Sequence, residues 1–212
     1  MLTRLLVAAA AMIAVVAASN YLVQFPVEAQ LGAVNLADLL TWGAFTYPFA
    51  FLVNDLTNRT LGPNRARMVV VAGFAVAVVI SIFLATPRIA IASGTAFLVA
   101  QLLDISVFNR LRRSDWWKAP LLSSMFGSVV DTLLFFGLAF APALAGMDAL
   151  FGMEDGSLGF PAPFLGIGAE VPLWISLAAG DLLVKLLVAL AALAPYGVLL
   201  GWIKDRPGPA TA

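Results

Sequence analysis

Apolar residues fill long runs along this chain, and the polar residues gather in short segments between them. A helix that crosses a bilayer needs roughly 20 mostly apolar residues. The runs predict six such helices, near residues 4–24, 35–56, 66–86, 88–110, 119–145 and 172–203. The last two are long enough to tilt, project or break, and Pro142 and Pro195 mark the weak points. The expected class is an all-α integral membrane protein, a bundle of six transmembrane helices in one domain over residues 1–212.

Composition supports this class and removes several chemistries. Of 212 residues, 62% are hydrophobic and 11% charged. The mean hydropathy is +0.98. Soluble domains carry roughly 45–50% apolar and about 25% charged residues. The formal net charge is zero, so bulk electrostatics point to no nucleic-acid partner. Cys and His are absent, which excludes disulfides, thiolate chemistry, Cys/His metal sites and His-dependent catalysis. A Mg- or Ca-type carboxylate site stays open.

The loop charges predict a direction. Arg59, Arg65 and Arg67 lie in "TNRTLGPNRAR", and Arg110, Arg112, Arg113 and Lys118 in "RLRRSDWWK". The tail adds Lys204 and Arg206. Cytoplasmic loops carry such an excess of Lys and Arg, so these segments and both termini are expected inside. The opposite loops hold Glu28 and then Asp148, Glu154, Asp155 and Glu170. Arg88 is the exception at the outer side, where it could pair with Glu28, Asp38 or Glu170 as a gate or a staple. The first run, Leu5 to Val23, outlasts a signal-peptide core of roughly 7–15 residues and reads as a retained helix. The outer segment 146–172 is rich in Gly, Pro and Phe and reads as an ordered connector, with a cap on the outer end of the bundle or a dip into the interface as the alternatives.

Ionisable residues inside a membrane are expensive, so they face a bundle interior or a wet cavity. Helical spacing places Ser124, Gly127, Ser128, Asp131 and Phe135 on one stripe. Ser93, Phe97, Ala100, Gln101, Asp104 and Phe108 form a second, and Trp174, Ala178, Asp181, Lys185 and Tyr196 a third. Counting about 1.5 Å per residue puts Asp131, Gln101 and Lys185 at one depth near mid-membrane. Asp181 lies one turn further out, and Asp104 and Asp55 lie nearer the cytoplasm. The level group predicts a polar cavity walled by Trp42, Phe45, Phe97 and Phe135. The structural alternatives are specific. Asp181 and Lys185, spaced i,i+4, could simply neutralise each other. Asp104 could lock a helix end, and Asp55 with Arg59 could form a boundary network.

These residues fit few chemistries. "LLDIS" and "VVDTL" lack the Gly-X-Gly-Asp context of intramembrane aspartyl proteases. No Gly-rich phosphate loop is present. The best physical reading is a transporter of a flat, polar small molecule and not an enzyme. The other readings are a membrane scaffold or an energy-coupling subunit.

Four stretches carry a family resemblance: "TWGAFTYPFAFLVNDLTNRTLGPNRARMVVVAGF" (41–74), "PRIAIASGTAFLVAQLLDISVFNRLR" (87–112), "WWKAPLLSSMFGSVVDTLLFFGLAFA" (116–141) and, more weakly, "GDLLVKLLVALAALAPY" (180–196). Together they resemble the queuosine precursor transporter family, also classed as a vitamin uptake transporter family. The pattern falls on Tyr47, Pro48, Phe49, Phe51, Leu52, Asp55, Leu56 and Asn58, on Gln101 and Asp104, and on Ser123, Ser124, Asp131 and Thr132. The resemblance implies six helices, no cofactor, and import across a bacterial inner membrane. The implied cargo is 7-cyano-7-deazaguanine (preQ0), its aminomethyl relative (preQ1), or both, for tRNA queuosine modification. Another planar heterocycle or vitamin is the alternative cargo.

The side chains suit such a ligand. A carboxylate accepts from the ring N–H and amine of a guanine-like edge. Asp131 or Asp104 is expected there, assisted by Gln101, with Trp42, Phe45 or Phe97 stacking on the ring. Ser124, Ser128, Lys185 and Asp181 complete the expected site. The expected partners are the 7-deazaguanine, membrane lipid and, through small-residue helix faces, a second copy of the chain. Energy coupling stays open between a proton on Asp131 and facilitated entry.

Overall fold

The computed structural model describes residues 1–32 and 34–205. Arg206 and the side chain of Lys204, invoked above for the tail charge, lie outside the described residues. The chain begins with α1 (Leu2–Leu22), followed by a short hairpin of β1 (Gln30–Leu31) and β2 (Val34–Asn35). Next come α2 (Trp42–Thr46), α3 (Phe49–Leu61), α4 (Pro63–Leu84) and α5 (Pro87–Leu111). Then α6 (Lys118–Phe140) leads to α7 (Gly146–Leu150), a second hairpin of β3 (Pro161–Pro163) and β4 (Glu170–Pro172), α8 (Leu173–Ala191) and α9 (Leu193–Asp205). Five helical stretches are long and apolar enough to cross a membrane: α1, α4, α5, α6 and the joined α8–α9. This is a multi-pass, predominantly helical membrane protein.

Helix boundaries follow local chemistry. α3 ends at Gly62, whose φ of 88° suits a residue without Cβ, and Pro63 then opens α4. Pro87 opens α5, and the Thr86 hydroxyl accepts from the amide of Ile89 at 3.4 Å. The breaks near Pro142 and Pro195 are present: α6 stops at Phe140, and α8 gives way to α9 at Ala192. Pro195 has no N–H for the Ala191 carbonyl.

The helix expected over 35–56 is not one element. Residues 36–38 form a 3₁₀ turn whose start is held by Asn35, its side chain accepting from the Ala37 amide at 3.3 Å. Beside it the backbone pairs in strand fashion, Val27 N to Leu40 O at 3.0 Å and Trp42 N to Phe25 O at 3.0 Å. The helix starts only at Trp42 and is interrupted at Pro48, which cannot donate back along the helix axis. The two hairpins are additions to an otherwise helical chain.

α5 and α6 form the centre and pack most extensively on each other. Half of the α5 spanning window is buried, against 17% for α1, whose outer face is apolar and open to lipid. Small residues permit the close crossings. A Cβ on Gly73 would sit 2.7 Å from Met12, and one on Gly43 2.9 Å from the Val23 backbone. A core of Met12, Val16, Ala50, Val69, Val70, Phe97 and Ile105 ties α1, α3, α4 and α5 together.

Arg88 is paired differently from expectation. It is 1% exposed, and its guanidinium binds Asp148 at 2.6 Å and Ser157 at 3.1 Å. It also donates to the carbonyls of Leu138 at 2.9 Å and Ala141 at 2.6 Å. None of Glu28, Asp38 or Glu170 is its partner. The reason is the end of α6: unpaired C-terminal carbonyls sit beside the start of α5, and a cation satisfies them. Arg88 thereby staples the 146–172 segment to the bundle.

Candidate functional site

A cavity of about 380 Å³ opens at the end of the bundle away from the basic loops. Its rim uses the last turn of α1, the start of α2, and the facing ends of α4 and α5, with Asp38 among the polar groups. Phe135, Phe136 and Phe140 of α6 supply an aromatic wall. The rings pack edge-on and tilted, 5.1 to 5.9 Å apart.

The innermost charged residues lining it are Asp131, Asp181 and Lys185. The Lys185 ammonium lies 2.6 Å from Asp131 and 2.5 Å from Asp181. Tyr47 donates to the second Asp131 oxygen at 2.7 Å, and its ring lies 5.1 Å from the ammonium. Thr132 donates to Asp181 at 2.8 Å and accepts from Lys185 at 3.3 Å. Both Asp131 oxygens therefore have partners. Asp181 keeps 14% exposure of its side chain, against 5% for the other two. Of the two floor carboxylates, Asp181 is the more available to a ligand.

The remaining expected residues divide. Gln101 and Asp104 lie in a second, fully buried cluster nearer the basic end. There the Asn54 amide donates to Asp104 at 2.9 Å and to the Gln101 carbonyl at 3.1 Å. Ser124, with Ser123, donates to Asp55 at 3.1 Å. Ser128 is buried with no partner for its hydroxyl among the described residues. Asp131 and Lys185 are thus together, but Gln101 does not join them. Phe97 is 2% exposed in the apolar core, with its ring 6.3 Å from Tyr47. Trp42 is 48% exposed and packs on Phe45 at 5.7 Å; neither lines the cavity. The aromatic wall is Phe135 with its neighbours, because Trp42 points away from the bundle at the start of its helix.

Three contributors were not singled out from the sequence. Tyr47 stands only in the family pattern, with no place in the expected site. Ser19 donates to Thr46 at 3.1 Å and lines the cavity with Asn20. The signal for these two was the polar pair closing an apolar run, "AASN".

Comparison with known proteins bears on this geometry. The family model described as "Putative vitamin uptake transporter" matches residues 41–85 and 81–199. The chain belongs to this family. It is also 36% identical over 214 residues to the "Queuosine precursor transporter" of Escherichia coli (strain K12), covering 91% of this chain and 84% of that protein. The "Probable queuosine precursor transporter" of Haemophilus influenzae is 37% identical over 217 residues, covering 89% and 83%. No solved structure matches the chain. Within the family segment lie Tyr47, Asp131, Asp181 and Lys185, the whole charged floor of the cavity; the α1 rim lies outside it.

Proposed function

We propose that this chain imports queuosine-precursor 7-deazaguanines, preQ0 or preQ1, through the cavity closed by Asp131, Lys185 and Asp181. The observation that carries it is this charged, ligand-sized floor beneath an aromatic wall in a chain of this family. A guanine-like edge presents a ring N–H, an exocyclic amine and a carbonyl. Asp181 accepts from the two donors, and Lys185 turns from Thr132 to the carbonyl. Asp131 and Tyr47 hold Lys185 in place, and Phe135, Phe136 or Phe140 stacks on the bicycle.

The proposed topology has six crossings in a single domain over residues 1–212. The sixth crossing is α2 joined to α3 through Pro48, which together run about 30 Å at 1.5 Å per residue. The basic loops and both termini lie in the cytoplasm, so the cavity faces outward. The outward form is held by a clamp at the basic end. There Arg59 donates to the carbonyls of Arg112 at 2.7 Å and Trp116 at 3.4 Å, and to the Tyr196 hydroxyl at 3.1 Å.

The test is equilibrium binding of radiolabelled preQ0 and preQ1 to the purified protein, competed with guanine, adenine and a panel of vitamins. Deazaguanine binding that guanine weakens and Asp181→Ala abolishes is the expected result. Displacement by a vitamin alone would move the cargo to another heterocycle, and no binding at all would sink the reading.

A further inference from the structure

The cluster beneath the cavity contains a pair of carboxylates that make no salt bridge among the described residues. Asp55 is 2% exposed and Asp104 0%. They sit on α3 and α5, held near each other by Asn54, the residue before Asp55, whose amide donates to Asp104, and the charge of Asp104 acts on Asp55. Three of the four carboxylate oxygens accept a hydrogen bond: Asp55 from Ser123 and Ser124 at 3.1 Å each, and Asp104 Oδ2 from Asn54 at 2.9 Å. Asp104 Oδ1 has no donor among the described residues. Nor have Asn54 Oδ1, Asn58 Oδ1 or either amide atom of Gln101 a partner there. The Asn54 amide is anchored on Asp104, so its free oxygen belongs to this cluster.

Two adjacent carboxylates in a dry layer do not both stay ionised. The cavity floor relieves the same repulsion with Lys185, and among the described residues no lysine side chain lies here. The facing groups are Asn54, Asn58 and Arg59 from α3, Gln101 from α5, Ser123 and Ser124 from α6, and Tyr196 from α9. The only cation among them, Arg59, is occupied by the basic-end clamp.

We infer that Asp55 and Asp104 share one proton while the cavity faces outward, and that this pair couples proton entry to import of the ligand. The proton occupies the one free oxygen, Asp104 Oδ1, and is donated to Asp55. Opening the basic end breaks the Arg59 clamp. Arg59 lies one turn beyond Asp55 on the same helix face and can then pair with it. The proton leaves to water on that side as the guanidinium takes over its charge, and the cluster returns with both acids ionised and Asp55 paired to Arg59. The net movement is one proton inward with each ligand, bound from the outer water and released to the inner. The coupling step rests on the transport reading above.

The test uses the full chain in proteoliposomes with labelled preQ0, with infrared spectroscopy of the ligand-free protein in lipid. Wild type is expected to accumulate label under an inside-alkaline gradient, approaching about tenfold per pH unit for one proton. Asp104→Asn and Asp55→Asn are expected to exchange label across the membrane but to settle at equal concentrations. The infrared spectrum of wild type at neutral pH should contain a protonated-carboxyl carbonyl band that either substitution removes. Accumulation driven by sodium, gradient-driven accumulation surviving in both variants, or a band missing from wild type or untouched by both substitutions each overturns the proposal. If wild type exchanges no preQ0, the transport reading fails, and the infrared band alone decides whether the proton is there.

Discussion

Lys185→Met is the sharpest probe of the cavity floor. The substitution keeps much of the side-chain volume and removes the charge. Lys185 is 4% exposed, with carboxylate oxygens at 2.6 and 2.5 Å on two sides. Its loss leaves Asp131 and Asp181 facing each other with only the hydroxyls of Tyr47 and Thr132 to stabilise them. Removing one partner of a buried ion pair costs about 3–5 kcal/mol, most of it the penalty on the charge left behind. For a chain of this size that lowers the melting temperature by roughly 6–20 °C. The assay is thermal unfolding of the purified protein in detergent, followed by tryptophan fluorescence.

A compensated variant separates charge from packing. Lys185→Met combined with Asp131→Asn and Asp181→Asn contains no uncompensated charge, and neutral replacements of buried ion groups are often tolerated. The combination should recover most of the lost stability and still fail to bind the deazaguanine. A melting temperature for Lys185→Met within a degree or two of wild type would refute the buried triad. A triple variant no more stable than the single one would refute charge as the cause. A triple variant that binds normally would move the ligand elsewhere.

Three other substitutions follow from the same geometry. Tyr47→Phe removes the 2.7 Å hydrogen bond to Asp131 and keeps the ring, so it should cost about 1–3 kcal/mol in the same unfolding assay. Arg88→Ala leaves Asp148 buried without its cation at the end of α6, which should cost about 3–5 kcal/mol and speed limited proteolysis within 151–163. Gly127→Ala places a methyl group 2.5 Å from Phe51 and should lose about 1–3 kcal/mol, whereas Gly137→Ala meets nothing within 4 Å and should gain about 0.5–1 kcal/mol. Equal effects at the two glycines would show that the α3–α6 crossing is looser than described.

The long elements were legible because hydropathy and Gly/Pro punctuation act locally. The runs at 66–86 and 88–110 became α4 and α5, each opened by a proline at its first helical position. The segment 35–41 was not legible. Its apolar spacing fits a helix, yet its backbone pairs with residues 25–29, which lie distant in helical spacing and near only once α1 has turned back. Arg88 was misassigned for a similar reason. Its partner, Asp148, comes from a segment whose path depends on where α6 stops.

The polar residues show a finer limit. Helical phase identified which of them face inward, and every one of Gln101, Asp104, Ser124, Ser128, Asp131 and Lys185 is buried. Depth was the weaker coordinate. Measured from the basic end, Asp131 stands about 20 Å along α6 and Gln101 about 15 Å along α5. Counting each helix from a different boundary put Gln101 level with Asp131, although it belongs to the layer of Asp104. Phe51 separates the two layers in the structure, filling the space above Gly127 and packing edge-on beneath Tyr47 at 6.2 Å. The charge balance distinguishes the layers better than depth does. Asp131 and Asp181 share a lysine one turn from Asp181 on α8, which offsets one of their two charges when both acids are ionised. Asp55 and Asp104 make no salt bridge among the described residues, and Arg59, one turn from Asp55 on α3, is held at the basic end. A carboxylate pair whose repulsion is relieved by a proton, placed under a pair relieved by a lysine, lets the first respond to which end is open while the second stays ready for ligand.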